Sequence, residues 1–136
     1  MKNFKFRAWD KDHKYMEYTD KNLIVSFGDN GNVDATDLSN IYSTCEGMQN
    51  FELMLSTGLN DKNGVGIFEG DIVEFKYPYD KRIKTKGVIV RNDNKACFGI
   101  SMKETTEQYE LYRTTAENYL TVIGDVYQNP ELLEDN

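Results

Sequence analysis

Apolar and polar residues alternate over short stretches along most of this chain. Phe4, Phe6 and Ala8 interleave with Lys5, Arg7 and Trp9, the period of 2 that suits a half-buried strand. Asp10 to His13 is polar and turn-like, and Tyr15, Met16 and Tyr18 follow, so residues 3 to 18 predict a hairpin. Leu23 to Phe27 is a β-branched run that stops at Gly28-Asp-Asn-Gly31, where two glycines and an Asn-Gly pair favour a turn. Phe51, Leu53 and Leu55 alternate with Glu52, Met54 and Ser56 and predict a strand that ends before Gly58.

The densest turn chemistry follows, from Thr57 to Gly64, and leads into Ile67 to Phe75, a strand entered through a tight Gly70-Asp71 bend. Alternation there sets Val73 and Phe75 on one face, Ile72 and Glu74 on the other. Gly87 to Arg91 and Ala96 to Met102 flank Asn92 to Lys95 as a further hairpin. Tyr119 to Ile123 reads as a last strand, with Gly124 permitting a bend. About seven short strands predict a mainly β domain, a small barrel or sandwich. Helical signals are few. Asn129-Pro-Glu-Leu-Leu133 offers a cap residue, a proline at the first helical position and an acid, which suits a short helical turn. Within 103 to 118, residues 103 to 108 read as loop and 109 to 113 as strand.

A length of 136 residues suits one domain over 1–136, with an N-terminal hairpin and strand region (1–56), a barrel-like β region (57–128) and a helical turn and tail (129–136). The aromatic share of 12% is too high for a disordered tail. Residues 1 to 9 alternate charge with aromatic residues, so they are no secretory signal, and no window approaches 18 consecutive apolar residues. A soluble, cytoplasmic protein without membrane contact is expected. Cys45 and Cys97 have no partner at ligand spacing and His13 is the one histidine, so neither a zinc site nor any other cofactor is expected, and both thiols read as buried and reduced.

Three stretches together carry a specific pattern: Lys5-Phe-Arg-Ala-Trp-Asp10 with Met16 behind it; Thr57-Gly-Leu-Asn-Asp-Lys-Asn-Gly64 running into Ile67-Phe-Glu-Gly-Asp-Ile-Val73; and Val122-Ile-Gly-Asp-Val-Tyr-Gln-Asn-Pro-Glu-Leu-Leu133. In order and spacing they resemble the YopX family, small proteins of phages and prophages in Gram-positive bacteria. The resemblance implies a β-rich fold and a phage-borne gene acting in a bacterial host, and it brings no activity or catalytic residue with it. Backbone need explains the motifs: Gly58, Gly64, Gly70 and Gly124 at turns, with Trp9, Ile72, Val73 and Ile123 filling a core.

Chemistry is sparse. Asp61, Asn63, Glu69 and Asp71 supply oxygen atoms, but against a calcium loop begun at Asp61 the bidentate acid at position 12 is replaced by Ile72. No metal is expected. His13 sits in a turn with no nucleophile placed beside it, and the glycines match no phosphate loop. No catalytic constellation is found, so an enzyme is not expected. Charge is the uneven feature. The chain carries a net charge of -7, yet residues 76 to 95 hold seven bases and two acids, a local +5 that leaves -12 elsewhere. Tyr77 and Tyr79 precede this run, and with Lys81, Arg82, Lys84, Lys86, Arg91 and Lys95 they form the candidate partner-binding set. A basic loop in an acidic chain docks on opposite charge in another copy or in a phage or host protein. This predicts a non-catalytic, oligomeric interaction module, and the alternative is a single-strand nucleic-acid binder using aromatic faces among cations.

Overall fold

The computed structural model describes residues 5–38, 50–76, 84–92, 97–103 and 108–134. The chain divides into two compact units, residues 1–55 and 56–136.

In the first unit, β1 (Phe6–Asp10) and β2 (Tyr15–Tyr18) form the expected hairpin, with Asp10 opposite Tyr15 and Arg7 opposite Tyr18. A second hairpin joins β3 (Leu23–Phe27) to β4 (Val33–Asp37). Its turn is closed by Gly31 donating to the Gly28 carbonyl and Gly28 donating to that of Asn32. The first half of β5 (Phe51–Asn60) pairs antiparallel with β1, from Phe6 opposite Leu55 to Asp10 opposite Phe51. Ala8, Leu23 and Ala35 are buried at the centre, with Val25, Phe51 and Leu53 packed on them. Two of the three central residues are alanines, so this is a thin core whose close approach depends on small side chains. Trp9, expected inside, is half-buried.

The second unit carries the larger core. The rest of β5 pairs with β6 (Gly66–Phe68), Ser56 opposite Phe68 and Asn60 opposite Gly66, with a register shift between them. Thr57 to Asn60 is therefore strand, where the sequence predicted turn. Gly58, at φ +77°, absorbs the irregularity inside the strand. Thr57 Oγ1 donates to the Ile67 carbonyl and accepts from Leu59 N–H, tying the bulge across the pair.

A five-stranded antiparallel sheet follows in the order β10-β9-β8-β7-β11, formed by β7 (Asp71–Lys76), β8 (Lys84–Asn92), β9 (Cys97–Met102), β10 (Gln108–Glu110) and β11 (Leu120–Asp125). Val73, Ile89, Ile100 and Leu120 lie on one face and are buried with Ile67 and Ala116, while Phe75, Met102, Leu111 and Val122 pack at the margin. Ile72, on the opposite face, is also fully buried, so β7 is covered on both sides. Ile123, expected in the core, is half-buried because the β11–β7 register shifts between Val122 and Gly124 and leaves it out of the ladder.

Among the described residues there are eleven strands, one α-helix and one 3-10 turn, the mainly β class predicted. The helix, α1 (Arg113–Tyr119), falls mostly in 114–118, a polar stretch the sequence leaves unassigned, and takes in only the ends of the strands predicted over 109–113 and 119–123. It is seven residues long, has no side-chain cap and buries only Ala116, too little apolar periodicity to reveal it. The short turn at Pro130–Leu133 is present as 3-10 helix. Asn129 does not cap it by a side-chain bond, and its Oδ1 accepts from Asp125 N–H instead. No described helix is long and apolar enough to cross a membrane.

Candidate functional site

Strand register in the five-stranded sheet gathers lysines. Residues of a strand alternate between faces, so Glu74, Lys76, Lys86 and Lys103 share the face opposite the main core. Glu74 pairs with Lys86, and Lys76 pairs with Lys84 in backbone register. Lys103, the residue just past the end of β9, lies beside Lys86, its N–H donating to the Lys86 carbonyl. Like charges in adjacent positions repel and persist only where something of opposite sign or dipole meets them. Here Glu74 stands opposite Lys86, and carbonyls at the 3-10 turn and its C-cap add their dipoles: Lys86 Nζ donates to the Leu132 carbonyl at 3.1 Å and Lys103 Nζ to that of Glu134 at 3.3 Å.

Of the predicted partner-binding set, Tyr77, Tyr79, Lys81, Arg82 and Lys95 lie outside the described residues, and Lys84 is placed by its backbone alone. Lys86 stands on the lysine face. Arg91 lies on the opposite face with Ile89, its Nε 3.6 Å from Glu69 Oε2. Lys103 was missed by sequence reasoning because it falls outside the basic run, and only the pairing of β8 with β9 brings it to Lys86.

The carboxylates that suggested cation chemistry are engaged by the backbone. Asp61 is buried, with Oδ1 accepting from Asn63 N–H at 2.8 Å and Val65 N–H at 2.9 Å, and Oδ2 accepting from Val122 N–H at 2.9 Å. Asp71 Oδ2 accepts from Phe68 N–H at 2.7 Å across the Gly70 bend. Asp125 repeats the device: Oδ1 accepts from the N–H groups of Tyr127 and Gln128, and Oδ2 from Gln128 Nε2. Each of these buried acids turns the chain by satisfying N–H groups that a tight loop leaves without a ladder partner. No group of three metal-ligating side chains converges among the described residues.

Asp10 does the same for the first hairpin. Its Oδ1 accepts from the N–H groups of Asp12 and His13, and His13 Nδ1 lies 3.0 Å from Oδ2. Burial pushes this carboxyl up, but the bonds from His13 and Asp12 outweigh it and hold it below the usual aspartate value. The imidazole is 76% exposed, so the pair is a turn clasp at the surface with no described nucleophile bonded to it. Cys97, expected to be buried, is half-buried as the first residue of β9. On the neighbouring edge the exposed Tyr112 hydroxyl donates to Glu110, and that bond raises the phenol above its ordinary value.

The family model described as YopX protein matches residues 5–134. The protein yopX from Bacillus subtilis, known from a crystal structure, is 26% identical over all of this chain and 99% of its own, with a TM-score of 0.68. The crystal structure of protein EF1440 from Enterococcus faecalis is 27% identical over 98% of this chain and all of its own, with a TM-score of 0.59. No curated protein matches.

Proposed function

The chain belongs to the YopX family, a family without an assigned biochemical role, and we propose that it works as a non-catalytic interaction module that associates with further copies of itself or with a phage or host protein in the bacterial cytoplasm. What supports the reading is the gathering of Lys76 and Lys86 from the basic run with Lys103 on the sheet face they share with Glu74, in a chain of net charge -7. A cationic face on an acidic molecule attracts acidic surfaces of other copies and sets their orientation. Nucleic acid has to approach a molecule that repels it overall.

The test replaces Lys81, Arg82, Lys84 and Lys86 with Glu and measures native mass by light scattering at low and high salt, beside a gel-shift assay with single-stranded oligonucleotides. The proposal expects the wild type to self-associate or capture an acidic partner protein in a salt-sensitive way, and the variant to lose this. A wild type that stays monomeric at high concentration in low salt, yet binds single strands at physiological salt, overturns it.

A further inference from the structure

The lysine face already has an occupant. The end of the described chain meets it: past Val126, whose N–H donates to the Gly70 carbonyl, the Leu132 and Glu134 carbonyls accept from Lys86 and Lys103, 46 and 31 residues away in sequence. Both lysines donate to main-chain carbonyls of this segment, groups that any copy of the same turn presents. The segment itself is acidic: from Val126 to Asn136 the chain has Glu131, Glu134 and Asp135 and no base.

The occupant is also lightly held. The 3-10 turn is four residues long, has no side-chain cap and contains no buried residue, with Leu132 and Leu133 half-buried and Glu131 and Glu134 exposed. Its backbone bonds are short-range i,i+3 contacts, among them Leu132 N–H to the Asn129 carbonyl and Glu134 N–H to that of Glu131. Segments with few buried apolar contacts and exposed backbone bonds open at the low end of a protein's stability scale. Immediately before it the chain is firmly anchored, because Asp125 fastens Tyr127 and Gln128 and Asn129 fastens Asp125. Opening therefore breaks after Asn129 and frees residues 130–134 alone.

We propose that this turn is a displaceable cover on the lysine face, and that the occupant which replaces it is the same acidic turn of a second copy. The surface fits that partner because it already binds that segment in cis, through carbonyls a second copy presents identically and with charge of the right sign. Cis and trans occupancy compete, so the cover lowers the apparent affinity of self-association by the fraction of molecules in which the face is filled. The inference rests on the interaction reading above and names its partner and its control.

The experiment compares the full chain with two variants, Lys86→Gln/Lys103→Gln and Leu132→Ser/Leu133→Ser. The probes are a fluorescent peptide of residues 126–136, native mass at low salt, and amide exchange at Leu132 and Glu134. Loosening the cover with the two serines is expected to tighten binding of the wild-type peptide about tenfold, because the cis competitor is weakened while the probe is unchanged. Replacing the two lysines with glutamine removes both charges and shortens the donors out of reach of the carbonyls, which is expected to abolish peptide binding and speed exchange at both amides about tenfold, as the turn loses its anchors. A peptide that binds no form of the protein, while Lys86→Gln/Lys103→Gln still lowers native mass, overturns the cover and leaves the interaction reading standing. A native mass that neither variant nor salt alters overturns both. A scrambled peptide of the same composition that binds equally well refutes the second copy's turn as the partner. Should the serine variant fail to fold by circular dichroism, unchanged exchange at Leu132 and Glu134 in the glutamine variant is by itself enough to refute the cover.

Discussion

Removing the Asp61 carboxylate is the sharpest test of how the second unit is held. One buried carboxylate there accepts three backbone N–H groups, two in its own loop and one, Val122, on β11. Together with Lys62 N–H, which donates to the Leu120 carbonyl, it closes the outer edge of β11. Asp61→Ala leaves three donors without their acceptor. A bond to a charged acceptor contributes about 1.5 to 3 kcal/mol when both groups are well buried, and taking the low end for a loop near the surface gives a loss of about 3 to 5 kcal/mol. At about 3 to 5 °C per kcal/mol for a chain of this size, the midpoint falls by roughly 10 to 25 °C. Asp61→Asn separates the terms: its oxygen still serves Asn63 and Val65, but its amide meets Val122 N–H donor to donor, a loss of about 1 to 3 kcal/mol. Urea melts followed by circular dichroism measure both, with the slope expected to stay constant while the midpoint moves. A loss below about 1 kcal/mol for Asp61→Ala, or an asparagine variant as stable as wild type, would show that the carboxylate is not the fastening described.

Further expectations follow from the same geometry. Gly70 lies at φ +90°, so Gly70→Val is expected to destabilise by more than about 1 kcal/mol, and an unmoved denaturation midpoint refutes this. Gly87 sits where a Cβ would come 2.6 Å from Ile100 Cγ2, so Gly87→Ala overpacks the main core at a cost of about 1 to 3 kcal/mol, measurable by the same melts. The Asp10 carboxyl is held below its ordinary value of 3.8, so its contribution is fully present above that pH and disappears as pH falls through the lower folded value. Stability measured from pH 5 down to pH 2 is therefore expected to fall less steeply in Asp10→Asn, and parallel curves would count against the clasp. Calcium, magnesium or EDTA is expected to leave the melting midpoint unchanged, since the oxygens of Asp61 and Asp71 that suggested a cation accept backbone N–H groups; a rise of several degrees with either cation refutes it.

The sequence by itself determined the class of fold and the positions of most turns. Strand alternation is local, and a glycine at positive φ or an aspartate beside the N–H groups it will bind declares itself within a few residues, so the first hairpin, the Gly28–Gly31 turn and the Gly70 bend were legible. Local signals gave out where the cause was distant. Thr57–Asn60 reads as turn by composition, yet pairing with β6 keeps it in a strand and confines the irregularity to Gly58. Helix α1 shows only Ala116 of its core contact in a polar stretch, and that alanine is buried with Ile67, Val73, Ile89 and Ile100, far away in the chain, as well as with neighbouring Leu120. The same holds for function: composition revealed a basic run, but only the register of β7, β8 and β9 decided that Lys86 stands beside Lys103 and opposite Glu74, and that Arg91 faces the other way. Which charges share a surface depends on register, and register is fixed by burying one face of every strand at once, a condition no single segment contains.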